Sequence, residues 1–140
     1  MPEAVIVAAA RTPIGRAFKG SFKDERADNM AAFIVDTVLN KVPQLDRQSI
    51  DDLILGCGLP GGEQGFNMGR VVAILAGMPA VPGCTITRYC SSSLQSIRMA
   101  AHAVRAGEGD AFIAAGVEGV SRFAVGGSSD HTPGTQNPIF

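Results

Sequence analysis

Apolar positions along this chain fall into two kinds of stretch that alternate. Ala4-Val5-Ile6-Val7-Ala8-Ala9-Ala10 is an unbroken apolar run, the pattern of a strand buried on both faces. Pro13, Gly15 and Gly20 then mark a loop that also carries Arg11, Arg16 and Lys19. Asp28 or Asn29 can cap a helix running to about Val42, with Met30, Phe33, Ile34, Thr37, Val38 and Lys41 at three- and four-residue steps and Pro43 as its stop. Leu53-Ile54-Leu55-Gly56-Cys57 reads as a second short buried strand. Gly58, Pro60, Gly61, Gly62 and Gly65 form a loop that lacks the Gly-Lys-Ser/Thr ending of a phosphate cradle.

A helix from Asn67 to Leu75 follows, stopped by Gly77 and Pro79, and then a β-branched strand from Gly83 to Tyr89. Beyond Cys90-Ser91-Ser92-Ser93, a helix carries Leu94, Ile97, Ala101 and Val104 on one stripe and ends at Gly107. Ala100, Ala103 and Ala106 on its other faces let neighbours approach closely, as in a central helix. A fourth strand spans Ala111 to Val117, and from Gly126 the pattern dissolves into loop. The order βαβαβαβ predicts an α/β fold: a mostly parallel sheet with helices on both faces.

Composition narrows the function classes. The chain of 140 residues is 46% hydrophobic and only 18% charged, a surface that calls for covering by a second domain or subunit. A net charge of −1 provides no strong field for nucleic acid or an anionic membrane. No apolar run is long enough to span a bilayer, and the start has no basic stretch of a signal peptide, so a cytoplasmic protein is expected. The three cysteines, Cys57, Cys84 and Cys90, are odd in number and widely spaced without a CxxC pair. That argues against a disulfide framework or a zinc site, and no metal is expected. Cys57 and Cys84 read as small buried hydrophobes.

Cys90 differs because it sits where a strand ends and a helix begins, the place where α/β folds bind ligands. Unpaired N–H groups and the positive end of the helix favour a thiolate there and can hold a developing oxyanion. The plainer reading is a structural cysteine with Ser91 to Ser93 capping the helix, and position alone leaves both open. A nucleophilic cysteine needs a base, usually His. His102 lies roughly 18 Å along the helix from Cys90 and cannot reach it. His131 stands in the polar tail with nothing to tie it to Cys90. Glu63, Gln64, Asn67 and Arg70 could line a site or an interface, although polar loop residues are mostly solvated or structural. Glu118, just after a buried strand, reads as a local cap or pairing residue.

Four motifs in order then resemble the thiolase family. Ala9-Ala10-Arg11-Thr12-Pro13-Ile14-Gly15 resembles the opening of thiolases, and Thr87-Arg88-Tyr89-Cys90-Ser91-Ser92-Ser93-Leu94-Gln95-Ser96-Ile97 resembles the segment around their acyl-accepting cysteine. Ala106-Gly107-Glu108-Gly109-Asp110 and Ala115-Gly116-Val117-Glu118-Gly119-Val120-Ser121-Arg122 resemble the two motifs that follow. The match runs to about Phe123. It implies acyl transfer between coenzyme A thioesters through an acyl-cysteine at Cys90, with an acyl-CoA substrate and no permanently bound cofactor. It also implies a homo-oligomer, a dimer or tetramer.

In the family the base and a second cysteine come from a C-terminal domain. On this resemblance, residues 1–125 correspond to the N-terminal domain and residues 126–140 to the start of the loop domain that grips coenzyme A. The C-terminal domain is absent, so the isolated chain is expected to show little turnover without that complementary half. Ser93 and Ser91 depart from the family's usual small residues, and Thr87 from a common Asn, which affects acyl preference more than chemistry. Cys90-Ser91-Ser92-Ser93-Leu94 also resembles β-ketoacyl and polyketide synthases, a second reading because their cysteine falls later in the chain. A non-catalytic fragment that only associates with itself or a complementary half is the alternative from another class.

Overall fold

The computed structural model describes residues 2–122. Helix α1 spans Ala27–Leu39, strand β1 Asp52–Gly56, helix α2 Met68–Leu75, strand β2 Gly83–Ile86, helix α3 Ser92–Ala106, strand β3 Phe112–Gly116 and the short helix α4 Val120–Arg122. The three strands form one sheet in the order β2-β1-β3, and both pairings are parallel. Parallel neighbours need crossovers, and α2 and α3 supply them. β1 is central and buried, as its run of Leu53, Ile54 and Leu55 requires.

Because side chains alternate along a strand, the two faces of the sheet are built differently. Leu53, Leu55 and Cys57 point into the main core with Val35 and Leu39 of α1, Val72 and Ala73 of α2, and Met78 and Val81 of the following loop. The other face receives α3. A Cβ at Gly56 would fall well inside 3.0 Å of the Ser92 backbone, and one at Gly116 would collide with Ser93 Cβ. The first turn of α3 therefore rests directly on two glycines at the carboxyl ends of adjacent strands. Ser96, fully buried, adds a hydroxyl 2.9 Å from the carbonyl oxygen of Ala115.

Several expectations are corrected. Ala4 to Ala10 is not a strand of the described sheet: it pairs with neither β2 nor β3, and Ile6 is 82% exposed. An apolar run suits a buried strand, but burial needs neighbours on both sides, and the described residues provide none. The described order is thus αβαβαβ with a short final helix. In α1 the buried stripe is Ala27, Ala31, Ala32, Val35 and Leu39, not the stripe through Phe33, which is exposed. In α3 the buried residues are Ser92, Ser96, Ala100 and Ala103, while Leu94 and Ile97 face outward. Close helix approach selects small side chains, whereas counting hydrophobes selects large ones. The strand predicted from Gly83 to Tyr89 ends at Ile86, where the turn to Cys90 begins. The tail from residue 126, with His131, lies outside the described residues.

Replacing Gly56 by Ala must push α3 off the sheet. Gly56→Ala is expected to destabilise the chain by about 1–3 kcal/mol, read as a lower denaturant midpoint. An unchanged midpoint would mean that α3 does not rest on β1.

Candidate functional site

A hollow of about 480 Å³ opens at the carboxyl ends of β1 and β3, lined by Leu59, Tyr89, Cys90, Ser93, Val117 and Glu118 among others. Cys90 is exposed there. Its presentation depends on an unusual residue: Tyr89, just before it, has φ of 49°. A bulky side chain in the left-handed region is strained and persists only where its surroundings hold it. Ser92 does much of that holding. Its buried hydroxyl lies 2.6 Å from the Tyr89 carbonyl oxygen and accepts the Arg88 N–H at 2.8 Å. The Ser91 N–H donates to the Arg88 carbonyl and the Ser92 N–H to that of Tyr89, which closes the turn. The N–H groups of Ser93 and Leu94 belong to the first turn of α3, which helix geometry leaves outside the intrahelical ladder. Cys90 therefore stands at a strand-to-helix corner beside the positive end of a helix of 15 residues.

The loop residues singled out in the sequence prove to be frame rather than site. Glu63, nearly buried, forms a two-point ion pair with Arg122 and also meets Arg26. Arg26 in turn holds Asp28; burial alone would push the Asp28 carboxyl up, but the Arg26 hydrogen bonds and the Asn29 N–H outweigh it and hold it low. Gln64, fully buried, accepts the Gly119 N–H at 2.6 Å and donates to the Leu59 carbonyl at 3.1 Å. Asn67 caps α2 through the Arg70 N–H and donates to the Gly83 carbonyl. Arg70 donates to the carbonyls of Val81 and Pro79.

Glu118 does pair, but not locally as expected: its partners stand in the loop after β1, 60 and 59 residues away. One carboxylate oxygen accepts the Gly58 N–H at 2.6 Å; the other accepts the Leu59 N–H at 3.1 Å and lies 3.7 Å from Cys57 Sγ. What the sequence did not reveal is that this carboxylate lines the same hollow as Cys90. The signal available was its place at the end of a strand parallel to β1, two residues beyond Gly116. Tyr89 was also missed as a conformational determinant, since nothing in a tyrosine announces a positive φ.

Cys57 is buried in the core as read, whereas Cys84 is only half-buried and stands outside the core cluster. Burial, and then the charge of Glu118, push the Cys57 thiol up to about 11. Burial, and then Asp52, raise Cys84 as well. His102 is exposed on α3, more than two turns into the helix, and does not approach Cys90. Among the described residues, the hollow therefore holds a thiol, backbone N–H groups and one carboxylate, without a histidine.

The described residues form a parallel α/β sheet that presents an exposed cysteine at the corner between β2 and α3. The chain belongs to the thiolase family: the family described as "Thiolase, N-terminal domain" matches residues 4–138. It is 48% identical over 123 residues to a 3-ketoacyl-CoA thiolase of Bacillus subtilis (strain 168), covering 87% of this chain and 31% of that protein. It is 41% identical over 140 residues to a 3-ketoacyl-CoA thiolase of Shewanella sp. (strain ANA-3), covering 99% and 36%. The crystal structure of the Bacillus anthracis acetyl-CoA acetyltransferase superposes with a TM-score of 0.79 at 34% identity, over 86% of this chain and 30% of that one. The chain thus spans about a third of the length of the curated relatives it matches.

The cysteines should separate chemically. Iodoacetamide at about pH 8, followed by peptide mapping, is expected to label Cys90 in the folded chain and spare Cys57, since exposure and thiolate content both govern the reaction. The folded state keeps the Cys57 proton where an unfolded thiol, with its ordinary value of 9.0, has lost it. Its contribution to stability is therefore intact below pH 9.0 and lost as pH rises toward about 11. A denaturant midpoint that holds constant across that window would contradict the assignment.

Proposed function

We propose that this chain carries the nucleophile of a thiolase-type acyltransferase that moves acyl groups between coenzyme A thioesters through Cys90. The observation that carries the proposal is the corner itself: an exposed thiol held by a strained turn at the start of α3, in a chain of this family. In the forward step the Cys90 thiolate sulfur attacks the thioester carbonyl carbon of an acyl-CoA. The tetrahedral oxyanion formed lies within the reach of first-turn N–H groups, which act on charge that develops in the transition state. Collapse breaks the bond to the coenzyme A sulfur, which leaves as thiolate and takes up a proton, and the acyl group stays on Cys90. A second acceptor then removes it.

No permanently bound cofactor enters this scheme; coenzyme A is substrate. The described residues supply nucleophile and backbone donors but bring no histidine to Cys90, so turnover needs a base from elsewhere in the working enzyme. The family resemblance supports a homo-oligomer as that working state, with a complementary C-terminal half as the source of the base and residues 126–140 leading toward the loop domain. Among the described residues no helix is long and apolar enough to cross a membrane, and a cytoplasmic location is part of the same proposal. The alternative of a β-ketoacyl synthase gains no support from the relatives reported above.

Intact-protein mass spectrometry after incubation with acetyl-CoA tests the step. The expected result is a gain of one acetyl group that Cys90→Ala abolishes. Acetylation that persists in Cys90→Ala would overturn the nucleophile. No acetylation of the parent chain would make it an inert half-site that depends on its complement for activation.

A further inference from the structure

We propose that Glu118 is a positioning residue for Cys90, acting through Gly58 and the turn at Tyr89 and not on the thiol directly. The inference rests on the reading of Cys90 as the acyl-accepting nucleophile. Both Glu118 oxygens are occupied by backbone donors, the N–H groups of Gly58 and Leu59. The thiol it meets is that of Cys57, whose Sγ lies 3.7 Å from Oε1, and not that of Cys90. Its effect is therefore exerted on what it holds.

What it holds leads straight to the corner. The Gly58 carbonyl accepts the Thr87 hydroxyl at 3.4 Å, and Thr87 Oγ1 in turn accepts the Tyr89 N–H at 3.4 Å. A Cβ at Gly58 would lie 2.9 Å from the Glu118 carboxylate and 3.0 Å from the Tyr89 carbonyl oxygen, so Gly58 is wedged between the two. That same carbonyl oxygen accepts the Ser92 N–H at the start of α3. Glu118, Gly58, the Thr87–Tyr89 turn and the helix start are thus one contiguous set of contacts, with a charged anchor at its far end. The strained φ of Tyr89 needs such an anchor, because a left-handed tyrosine relaxes once its surroundings loosen. Relaxation would swing Cys90 away from the start of α3 and its first-turn N–H groups.

The two ways Glu118 could act have opposite signs. As a bare negative charge in the same hollow it would disfavour the thiolate, and neutralising it would help. As a positioning residue it supports the thiolate, and losing it would hurt. The experiment is iodoacetamide alkylation of the full chain as a function of pH, with peptide mapping at Cys90. Glu118→Gln keeps the length but leaves one oxygen for two N–H donors. The pH midpoint of Cys90 alkylation is expected to rise by about half a unit, so that labelling at neutral pH slows roughly threefold. Glu118→Asp, which keeps both oxygens, should return the midpoint part of the way. A midpoint that falls, or does not move, overturns the proposal. Should Glu118→Gln fail to fold by circular dichroism, Thr87→Val cuts the link between Gly58 and the turn without altering charge. It must raise the midpoint in the same way, and an unmoved midpoint there also overturns the proposal. Acetyl-CoA labelling that persists in Cys90→Ala would instead sink the acyl-transfer reading, because alkylation reports on Cys90 without coenzyme A.

Discussion

The contact on which the rest of this structure depends is the first turn of α3 lying against Gly56 and Gly116. Two strands end side by side in residues without side chains, and the helix start occupies the space those side chains would fill. Packing at that distance fixes the helix relative to the sheet with little freedom, because folded interiors have few voids into which it could shift. It also forces the chain between β2 and α3 into a very short path. Tyr89 adopts a positive φ to make the corner, and Cys90 emerges at its apex. The exposed thiol is therefore a consequence of helix–sheet packing, and the serines that follow it serve that packing first: Ser92 ties the turn and Ser96 ties α3 to the Ala115 carbonyl.

The polar residues around the corner follow the same logic. Glu63, Gln64 and Glu118 join the loop after β1 to the segment after β3. Each satisfies backbone donors or an arginine that would otherwise be stranded beneath the loop, where an unpaired polar group is costly. The ion pair of Glu63 with Arg122 has two points of contact and a nearly buried carboxylate, the geometry in which such pairs give direction as well as attraction. Polar side chains close to the nucleophile are thus consumed in holding the loops that frame it.

How much of this was legible in the sequence divides along physical lines. Element order came through where a period is strong and local: β1, α2, α3 and β3 lie within a residue or two of their predicted limits, and Gly107 ends α3 in the left-handed conformation expected of a C-terminal glycine. The corner position of Cys90, between a strand and a helix, was legible from the junction. Faces were not legible, because the largest apolar residues mark a stripe only when the neighbour leaves room for them. Helix α1 buries three alanines beside Val35 and Leu39 and turns Phe33 outward, and α3 buries alanine and serine and turns Leu94 outward. The run from Ala4 to Ala10 failed for the complementary reason. Composition records what a segment suits, while pairing depends on what stands beside it. Glu118 was read as a local partner, but its partners after β1 and its place in the Cys90 hollow depend on a parallel register of β3 against β1 that no local pattern encodes.

That division bears on how the site works. With the nearby carboxylates and amides occupied as scaffold, the proposed acyl transfer would leave discrimination between acyl groups to shape and apolar contact. The hollow beside Cys90 is walled by Leu59, Tyr89, Val117 and Val120, with Ser93 seated over Gly116. Apolar walls distinguish chain lengths only weakly, by roughly 1–3 kcal/mol for each methylene. The Ser93 side chain, seated over Gly116, is then one of the few features that can narrow the space around the Cys90 thiol. The proposed chemistry asks little more of these residues than a thiol at a fixed place and N–H groups beside it. Both follow from the way α3 meets the sheet, so in this chain the fold and the exposed Cys90 thiol are one structural fact.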